Sequence, residues 1–352
     1  MIYMKKATSI VLTAAFITGI SVCYNVNSAF AYSGSTNTSI SYQAEELGVT
    51  LPYSQEAQAK YNLPSEFSIN YMPKRLIVMS NSPVEILHEL GVEMLAVPNI
   101  LDESQDWIQD LDAERLPLTA STLDVEAILS REPDMIIMSA GKREKYGKFF
   151  ENNGTPVYYL VTTGNGTIED VRYDVTVYGK AFHKEHEMEK ILAKFDQLEA
   201  DIEAWKKENS SLAGQKMMIL LDCPPGYTNN SQTALGDMLK RLGYENITDS
   251  IPGLESMMGS NTLYISTEII VSQNPPIIIA QPAGTGMGIS ITSKAFETML
   301  QTEFKKNSAL WNSISAVKNG RILCLGTDDY PGTVGLGILD CYYYLMENLP
   351  TL

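Results

Sequence analysis

The sequence predicts an α/β fold of two Rossmann-like lobes joined by one long rigid α-helix, with a ligand cleft between the lobes. Short apolar runs alternate with amphipathic stretches in both halves of the chain, which is typical of parallel sheets covered by helices. One line of sequence recurs with Glu, Ser, Pro and Ile-Ile at the same spacing, as EAILSREPDMII from Glu126 and as EIIVSQNPPIII from Glu268. Between the two copies, apolar residues recur every three or four positions from His186 to Lys207, which predicts a connecting helix about 33 Å long.

The same patterns divide the chain into five segments. Residues 32–70 are rich in Ser, Thr, Asn, Gln and Tyr, so we expect the first ordered strand only at Lys74. The predicted segments are a signal peptide at 1–31, a tether and irregular lead-in at 32–70, an N-terminal α/β lobe at 71–167, a linking helical segment at 168–212 and a C-terminal α/β lobe at 213–352.

The first 31 residues have the features of a signal peptide. Lys5 and Lys6 precede an apolar run from Thr8 to Val22, which is shorter than a membrane-spanning helix needs. Ala29-Phe30-Ala31 offers a cleavage site after Ala31, whereas Cys23 stands where a lipoprotein would carry its lipid anchor. Both alternatives place the mature chain outside the cytoplasmic membrane, at the cell surface or secreted.

Charge and cysteine content exclude several classes of function. The net charge of −16 and the sequence pI near 4.7 argue against binding to nucleic acid or to anionic lipid, because both need a basic surface. After removal or lipidation of Cys23, three cysteines remain, with no CxxC motif and no disulfide framework. The sequence leaves open whether any two of Cys223, Cys324 and Cys341 pair.

In the N-terminal lobe, a strand ends at Met79 and a helix follows at once. Ser82 is expected to cap that helix, with Pro83 at its first position, Glu85 at the capping-box position and Gly91 at its end. A short helix over 124–131 then stops at a proline. Further strands are predicted at 93–97, 135–138 and 156–160.

In the C-terminal lobe the order repeats. An apolar run predicts a strand over 217–221, and a loop then leads to a helix that ends at Gly243. The second copy of the repeated line follows, with its own short helix, proline and apolar strand.

The order of these motifs identifies the chain as resembling the substrate-binding proteins of ABC importers for vitamin B12, haem and ferric siderophores. The resemblance covers most of residues 74–348 and rests on RLIVMSNSPVEILHELG, STLDVEAILSREPDMIIMSAG, the connecting helix, the repeated line and LWNSISAVKNGRIL. It implies a non-catalytic, monomeric protein that hands a metal chelate or corrinoid to a permease driven by a cytoplasmic ATPase. It also implies that Glu126 and Glu268, one per lobe, dock on arginines of that permease.

Ligands of open α/β sheets bind where loops leave the carboxyl ends of the strands, and facing lobes bring two such sets of loops together. The expected cleft residues are therefore Ser80, Asn81, Ser82, Asn99, Ser121, Lys142, Arg143, Tyr146, Tyr227, Met257, Met258, Gln281, Asp328 and Tyr330. No catalytic residue and no metal ligand is expected among them.

The identity of the ligand stays open at the level of sequence. Lys142 and Arg143 favour a ligand that bears carboxylate, phosphate or catecholate groups. No arginine lies around Thr119–Ser121, where the family would lead us to expect a siderophore clamp, and no histidine follows a strand at the cleft. Haem iron would need Tyr227, Tyr146 or a methionine such as Met257 or Met258. The alternative is a secreted two-lobe enzyme or sensor, with chelatase- or nitrogenase-like lobes and no role in transport.

Overall fold

The computed structural model describes residues 48–99, 101, 106–117, 123–161, 166–257, 260–283, 291–327 and 335–349. The predicted signal peptide, with both candidate processing positions Cys23 and Ala31, lies outside these residues. Within the described part of the chain, none of the helices is both long enough and apolar enough to cross a bilayer.

The described chain begins with an ordered segment where the sequence predicted an irregular one. Its elements are β1 (Val49–Pro52), α1 (Gln55–Tyr61) and β2 (Glu66–Ile69), and the two strands pair antiparallel. Val49 and Leu51 alternate with exposed residues and are fully buried, so one face of β1 packs on the lobe. The expectation that order starts at Lys74 is therefore wrong, because a four-residue strand carries too weak a periodic signal in a polar segment.

The N-terminal lobe contains a five-stranded parallel sheet in the order β5-β4-β3-β6-β7. This order places a topological switch point between β3 and β6, where chain connections leave in opposite directions. The elements of the lobe are β3 (Leu76–Val78), α2 (Ser82–Glu89), β4 (Ala96–Pro98), α3 (Asp106–Gln109), β5 (Glu114–Leu116), α4 (Val125–Leu129), β6 (Met135–Ser139), α5 (Lys148–Asn152) and β7 (Val157–Leu160).

One capping interaction expected in this lobe is absent. Helix α2 has Asn81 at its N-cap position, and Ser82 is already its first helical residue. Glu85 does not close a capping box, because its carboxyl lies against the backbone of Leu336 and Gly337. Gly91, with φ at +69°, follows the end of the helix as predicted.

The predicted connecting helix is confirmed. Helix α6 (Ile168–Ala181) leads into α7 (Glu185–Glu208), which is 24 residues long. The buried stripe of α7 consists of Met188, Ile191, Phe195, Leu198 and Ile202.

The C-terminal lobe contains a second sheet, in the order β11-β9-β8-β12-β13, with β10 paired to the beginning of β8. Strands β8, β10, β12 and β13 are parallel, whereas β9 pairs antiparallel with both β8 and β11; the sequence predicted neither β9 nor β11. The elements are β8 (Lys216–Leu221), β9 (Tyr227–Asn229), α8 (Ala234–Arg241), β10 (Glu245–Asn246), β11 (Thr262–Tyr264), α9 (Thr267–Gln273), β12 (Ile278–Gln281), α10 (Ser293–Lys306), α11 (Ser308–Trp311), α12 (Ser315–Asn319), β13 (Ile322–Cys324) and α13 (Ile338–Asn348).

Candidate functional site

The repeated line of sequence folds into the same local structure in both lobes. Glu126 and Glu268 are each the second residue of a short helix, α4 or α9, and both are exposed. Asp124 and Ser266 cap these helices, since their side chains accept a hydrogen bond from the backbone N–H three residues on, at 2.9 and 3.4 Å. Each glutamate therefore projects from the N-terminal turn of a capped helix.

The carboxyl ends of the two helices also match. Ser130 and Ser272 donate their hydroxyls to the carbonyl three residues back, at 2.9 and 2.8 Å. Glu132 and Asn274 then adopt the left-handed conformation, with φ of 47° and 42°, and a proline follows each of them. Such conformations are uncommon for residues other than glycine, so their recurrence shows that the backbone path itself is repeated.

Burial follows the same pattern along both copies. From 123 to 138 and from 265 to 280, equivalent positions share the same degree of burial except at Arg131 and Gln273. Both copies lead into a strand inside the sheet, β6 or β12. A backbone N–H and the Ser266 hydroxyl hold the pKa of Glu268 below its ordinary value, which favours the charged form of this carboxyl group.

At the switch point of the N-terminal sheet, the structure brings together part of the predicted cleft set. Ser80, Asn81 and Ser82 follow β3, and Lys142 follows the neighbouring β6. All four side chains are partly exposed. Burial lowers the pKa of Lys142, although the side chain keeps access to solvent. Asn99, after β4, is exposed at the same edge of the sheet.

Arg143 has surroundings quite different from those of Lys142. Its Nη1 donates to the carbonyls of Tyr61 and Asn62, at 2.8 and 2.9 Å. Its guanidinium lies 5.3 Å from the ring centroid of Tyr159, and its Nε is 3.8 Å from a carboxylate oxygen of Glu151. These contacts fasten α1 to the lobe and favour a structural role for Arg143.

Tyr146 lies in a π-helical turn over Arg143–Gly147, directly after the Lys142 loop. The Lys145 ammonium lies 4.8 Å from the centre of the Tyr146 ring, and a hydrogen bond from Lys145 lowers the pKa of the phenol. Tyr146 therefore lies in the segment that follows the carboxyl end of β6, as the sequence predicts.

In the C-terminal lobe, Gln281 is the last residue of β12 and pairs with Leu221 at the end of the neighbouring strand β8. It is only 7% exposed, and its Oε1 has no hydrogen-bond partner among the described residues. An unsatisfied buried carbonyl oxygen costs about 1–3 kcal/mol, so a donor from a ligand would relieve a real penalty. Asp222, in a left-handed conformation with φ of 72°, adjoins it and accepts from the Ala283 N–H at 3.3 Å.

The sequence analysis missed Asp222, and the turn sequence that follows it, Cys223-Pro224-Pro225-Gly226, was the available signal. It also missed Tyr264, whose exposed ring lies 5.1 Å from that of the predicted residue Tyr227. Met257, also predicted, pairs its backbone N–H with the carbonyl of Thr262.

Four predicted cleft residues lie outside the described part of the chain, and so does the segment around Thr119. They are Ser121, Met258, Asp328 and Tyr330.

Two of the three described histidines have a close neighbour. His88 lies 5.8 Å from Trp107, ring to ring, and a ring nitrogen of His183 is 3.0 Å from the Gly48 carbonyl oxygen. The described residues contain no group of three or more His, Cys, Asp or Glu side chains placed to hold a metal ion. No disulfide joins the three described cysteines, Cys223, Cys324 and Cys341, which answers the question that the sequence left open.

Comparison with known proteins gives a consistent result. Residues 76–328 match the sequence model of a family described as periplasmic binding protein. The petrobactin-binding protein YclQ of Bacillus subtilis is 23% identical over 263 residues, which is 72% of this chain and 74% of that protein. The Fe(3+)-citrate-binding protein YfmC of the same organism is 22% identical over 275 residues, which is 76% of this chain and 78% of that protein.

The solved structures show a shared fold. The crystal structure of YclQ superposes with a TM-score of 0.63 at 18% identity, over 86% of this chain and 98% of that one. The two relatives named above are described as binding proteins, which supports the binding hypothesis rather than the enzyme alternative.

Proposed function

Because this chain belongs to the periplasmic binding protein family, we propose that it captures an iron chelate outside the cytoplasmic membrane and delivers it to an ABC permease. The observation that carries this proposal is the repeated helix, which presents Glu126 from one lobe and Glu268 from the other in matching surroundings. Delivery to a permease needs such a contact point on each lobe, whereas binding alone does not.

A ferric chelate is favoured over haem or a corrinoid for two reasons. The two similar proteins named above are described as binding petrobactin and ferric citrate. In addition, Lys142 offers a partly exposed cation at the N-terminal switch point, which suits carboxylate or catecholate oxygens. Gln281 would supply its unpartnered oxygen to a hydroxyl or amide donor on the same ligand. Haem and cobalamin-type corrinoids remain the alternatives that the experiment must include.

The cellular location proposed is the outer face of the cytoplasmic membrane. The mature chain would begin after Ala31, or it would carry a lipid on Cys23 and stay attached to the membrane. The intact mass of the protein isolated from its own host distinguishes the two products, since only the second includes Cys23 and the mass of acyl chains.

The decisive experiment is a titration of the purified protein with a panel of ligands. Quenching of the tryptophan fluorescence would be followed with ferric citrate, a ferric catecholate, a ferric hydroxamate, haemin and cobalamin. We expect saturable quenching by ferric citrate or the catecholate, with Kd about 1 μM or below, which corresponds to about −8 kcal/mol. Binding of haemin or cobalamin alone would overturn the choice of chelate, and no binding by any member would overturn the proposed function.

A pair of variants tests the site within the same assay. Gln281→Met keeps the volume but removes the oxygen, so we expect roughly tenfold weaker binding, as for the loss of one hydrogen bond. Gln273→Met, at an exposed position of the same lobe, is the control and should bind as the wild type does. If Gln281→Met binds as tightly as the wild type, Gln281 is not part of the binding site, and the proposed function is unaffected.

A further inference from the structure

A cavity of about 90 Å³ lies on the N-terminal lobe, between the lead-in, the carboxyl end of β7 and helix α6. It shares only Ser82 with the predicted cleft residues. Among the described residues, four tyrosines and two aspartates contribute to its walls, and no lysine, arginine or histidine does. The lining side chains that bear on its chemistry are Tyr53, Tyr158, Tyr173, Tyr178, Asp170 and Asp174.

The two aspartates of this cavity are not equivalent. Asp170 completes the capping box of α6, because its Oδ2 accepts from the Thr167 N–H at 3.0 Å and from the Thr167 hydroxyl at 2.9 Å. Asp174, one turn further along the helix, receives no hydrogen bond and forms no ion pair within the described residues. Burial raises its pKa to about 7, and the charge of Asp170 adds to the shift. Asp174 is therefore a desolvated carboxyl without a cationic partner.

Four tyrosines line the same cavity as that carboxyl. The rings of Tyr53 and Tyr158 are stacked, with centroids 5.1 Å apart and planes at 18°. Tyr178 is 2% exposed, and no described residue forms a hydrogen bond with its hydroxyl. Tyr173 is 57% exposed, so it stands where the cavity reaches solvent. Of the four tyrosine hydroxyls, that of Tyr53 has a hydrogen-bond partner among the described residues, because it accepts from the Tyr159 N–H at 2.8 Å.

We propose that this cavity binds a small organic ammonium ion, with Asp174 as its counter-ion and the tyrosine rings as its cage. Aromatic faces attract cations, and recognition of methylated ammonium groups by such rings is a recurrent use of that attraction. An anion would meet two carboxyl groups and, among the described lining residues, no cation. A hard metal ion needs six or more oxygen ligands, whereas this cavity offers two carboxyl groups, one of which already accepts hydrogen bonds in the helix cap.

The size of the cavity agrees with this class of ligand. About 10–15 Å³ of such space holds one water molecule, so 90 Å³ accommodates a ligand of only a few non-hydrogen atoms. Methylammonium and tetramethylammonium are of this size, and an ammonium group at the end of a longer molecule could enter past Tyr173. The inference stands apart from the proposed transport function, because it uses none of the proposed cleft residues except the neighbouring Ser82.

The test is isothermal titration calorimetry of the full-length protein with tetramethylammonium and methylammonium chloride, against potassium chloride. We expect saturable binding of at least one organic cation at low-millimolar Kd or tighter, and at least tenfold weaker binding of potassium. Asp174→Asn should weaken the organic cation at least tenfold. Glu189→Gln changes the net charge equally at an exposed position of α7 and should bind as the wild type does.

A second variant tests the proposal independently if Asp174→Asn folds poorly. Tyr173→Ala alters an exposed position, so the fold should persist while binding weakens by roughly threefold to tenfold through loss of one ring. Absence of binding, equal binding of potassium and organic cations, or equal affinities in wild type and both variants would each overturn the proposal. Because the iron-chelate panel is a separate assay, failure here leaves the transport function untouched.

Discussion

A carboxylate oxygen of Glu85, on the first helix of the N-terminal lobe, lies 3.4 Å from the backbone nitrogen of Gly337, which caps the last helix of the chain. The approach is close, since a Cβ atom added at Gly335 would fall 2.1 Å from the same oxygen. Burial raises the pKa of Glu85 to about 7, and the nearby charges of Glu89 and Asp340 act in the same direction. The contact ties α2 to the start of α13 through a group that titrates near neutral pH.

This contact predicts a loss of stability as the pH rises. Because the pKa of Glu85 is higher in the folded chain than its ordinary 4.5, folding favours the protonated form. Its contribution is complete below about pH 4.5 and is lost as the pH rises through 7, a change of about 3 kcal/mol at most. Asp174, whose pKa is also raised to about 7, adds a contribution of the same sign.

Urea unfolding at pH 5 and pH 8 measures this effect. Glu85→Gln keeps a neutral side chain at both pH values, so it should show a smaller difference between them than the wild type and greater stability at pH 8. Asp174→Asn should reduce the difference separately, and the two reductions should add because the sites share no partner. A wild-type protein that is more stable at pH 8 than at pH 5, with no change on Glu85→Gln, would contradict the prediction.

The repeated helix predicts a separation of binding from transport. The double variant Glu126→Ala and Glu268→Ala should bind the ligand with unchanged affinity, because both side chains are exposed and neither is among the proposed cleft residues. Uptake of the radiolabelled iron chelate by cells that carry only this variant should fall at least tenfold, since each lobe loses its acidic contact point. Each single variant, Glu126→Ala or Glu268→Ala, should give an uptake between that of the wild type and that of the double variant.

The matched control is Glu93→Ala with Glu255→Ala, which removes the same charge from exposed positions, one in each lobe. Equal uptake by the control and the docking variant, or lost affinity with normal uptake, would show that Glu126 and Glu268 do not dock.

A third prediction concerns Gly236, in the first turn of α8. A Cβ atom here would lie 2.1 Å from the Asn230 carbonyl oxygen and 2.8 Å from the Ser231 Cα, both of which are backbone atoms. Gly236→Ala should therefore lower the free energy of unfolding by about 1–3 kcal/mol, as overpacking does. At Gly226 an added Cβ would meet nothing within 4 Å, so Gly226→Ala should be neutral or slightly stabilising.

The stability of both glycine variants is measured by urea unfolding. A shift of the midpoint with an unchanged dependence on denaturant concentration reports a change in the free energy of unfolding. If Gly236→Ala and Gly226→Ala are equally stable, the loop at Asn230 has shifted to accommodate the new methyl group, which would contradict the prediction.

Several features could be predicted because their causes lie within a few residues. The spacing of Met188, Ile191, Phe195, Leu198 and Ile202 alone predicts one buried stripe, and the helix follows from it. In the repeated line, a glutamate and a proline at fixed offsets predict a short helix before a buried strand, and both copies form it. The position of Gln281 at the end of a strand could likewise be predicted, because an apolar run precedes it.

Other features depend on residues far apart in the chain. Arg143 was expected at the cleft, but its guanidinium meets carbonyls 81 and 82 residues earlier in the lead-in. Glu85 fitted a local capping box, yet its carboxyl reaches a backbone amide 252 residues away. The tyrosine cavity combines three separate segments, and none of them carries a motif for it.

The sequence by itself determined the two lobes, the helix that joins them and the repeat, because hydrophobic periodicity and caps act locally. Only the tertiary structure decided which polar and charged groups have partners within the protein and which have none among the described residues. That outcome depends on burial and on long-range partners: Arg143 and Glu85 found theirs in the backbone, whereas the Gln281 oxygen and the Asp174 carboxyl found none among the described residues.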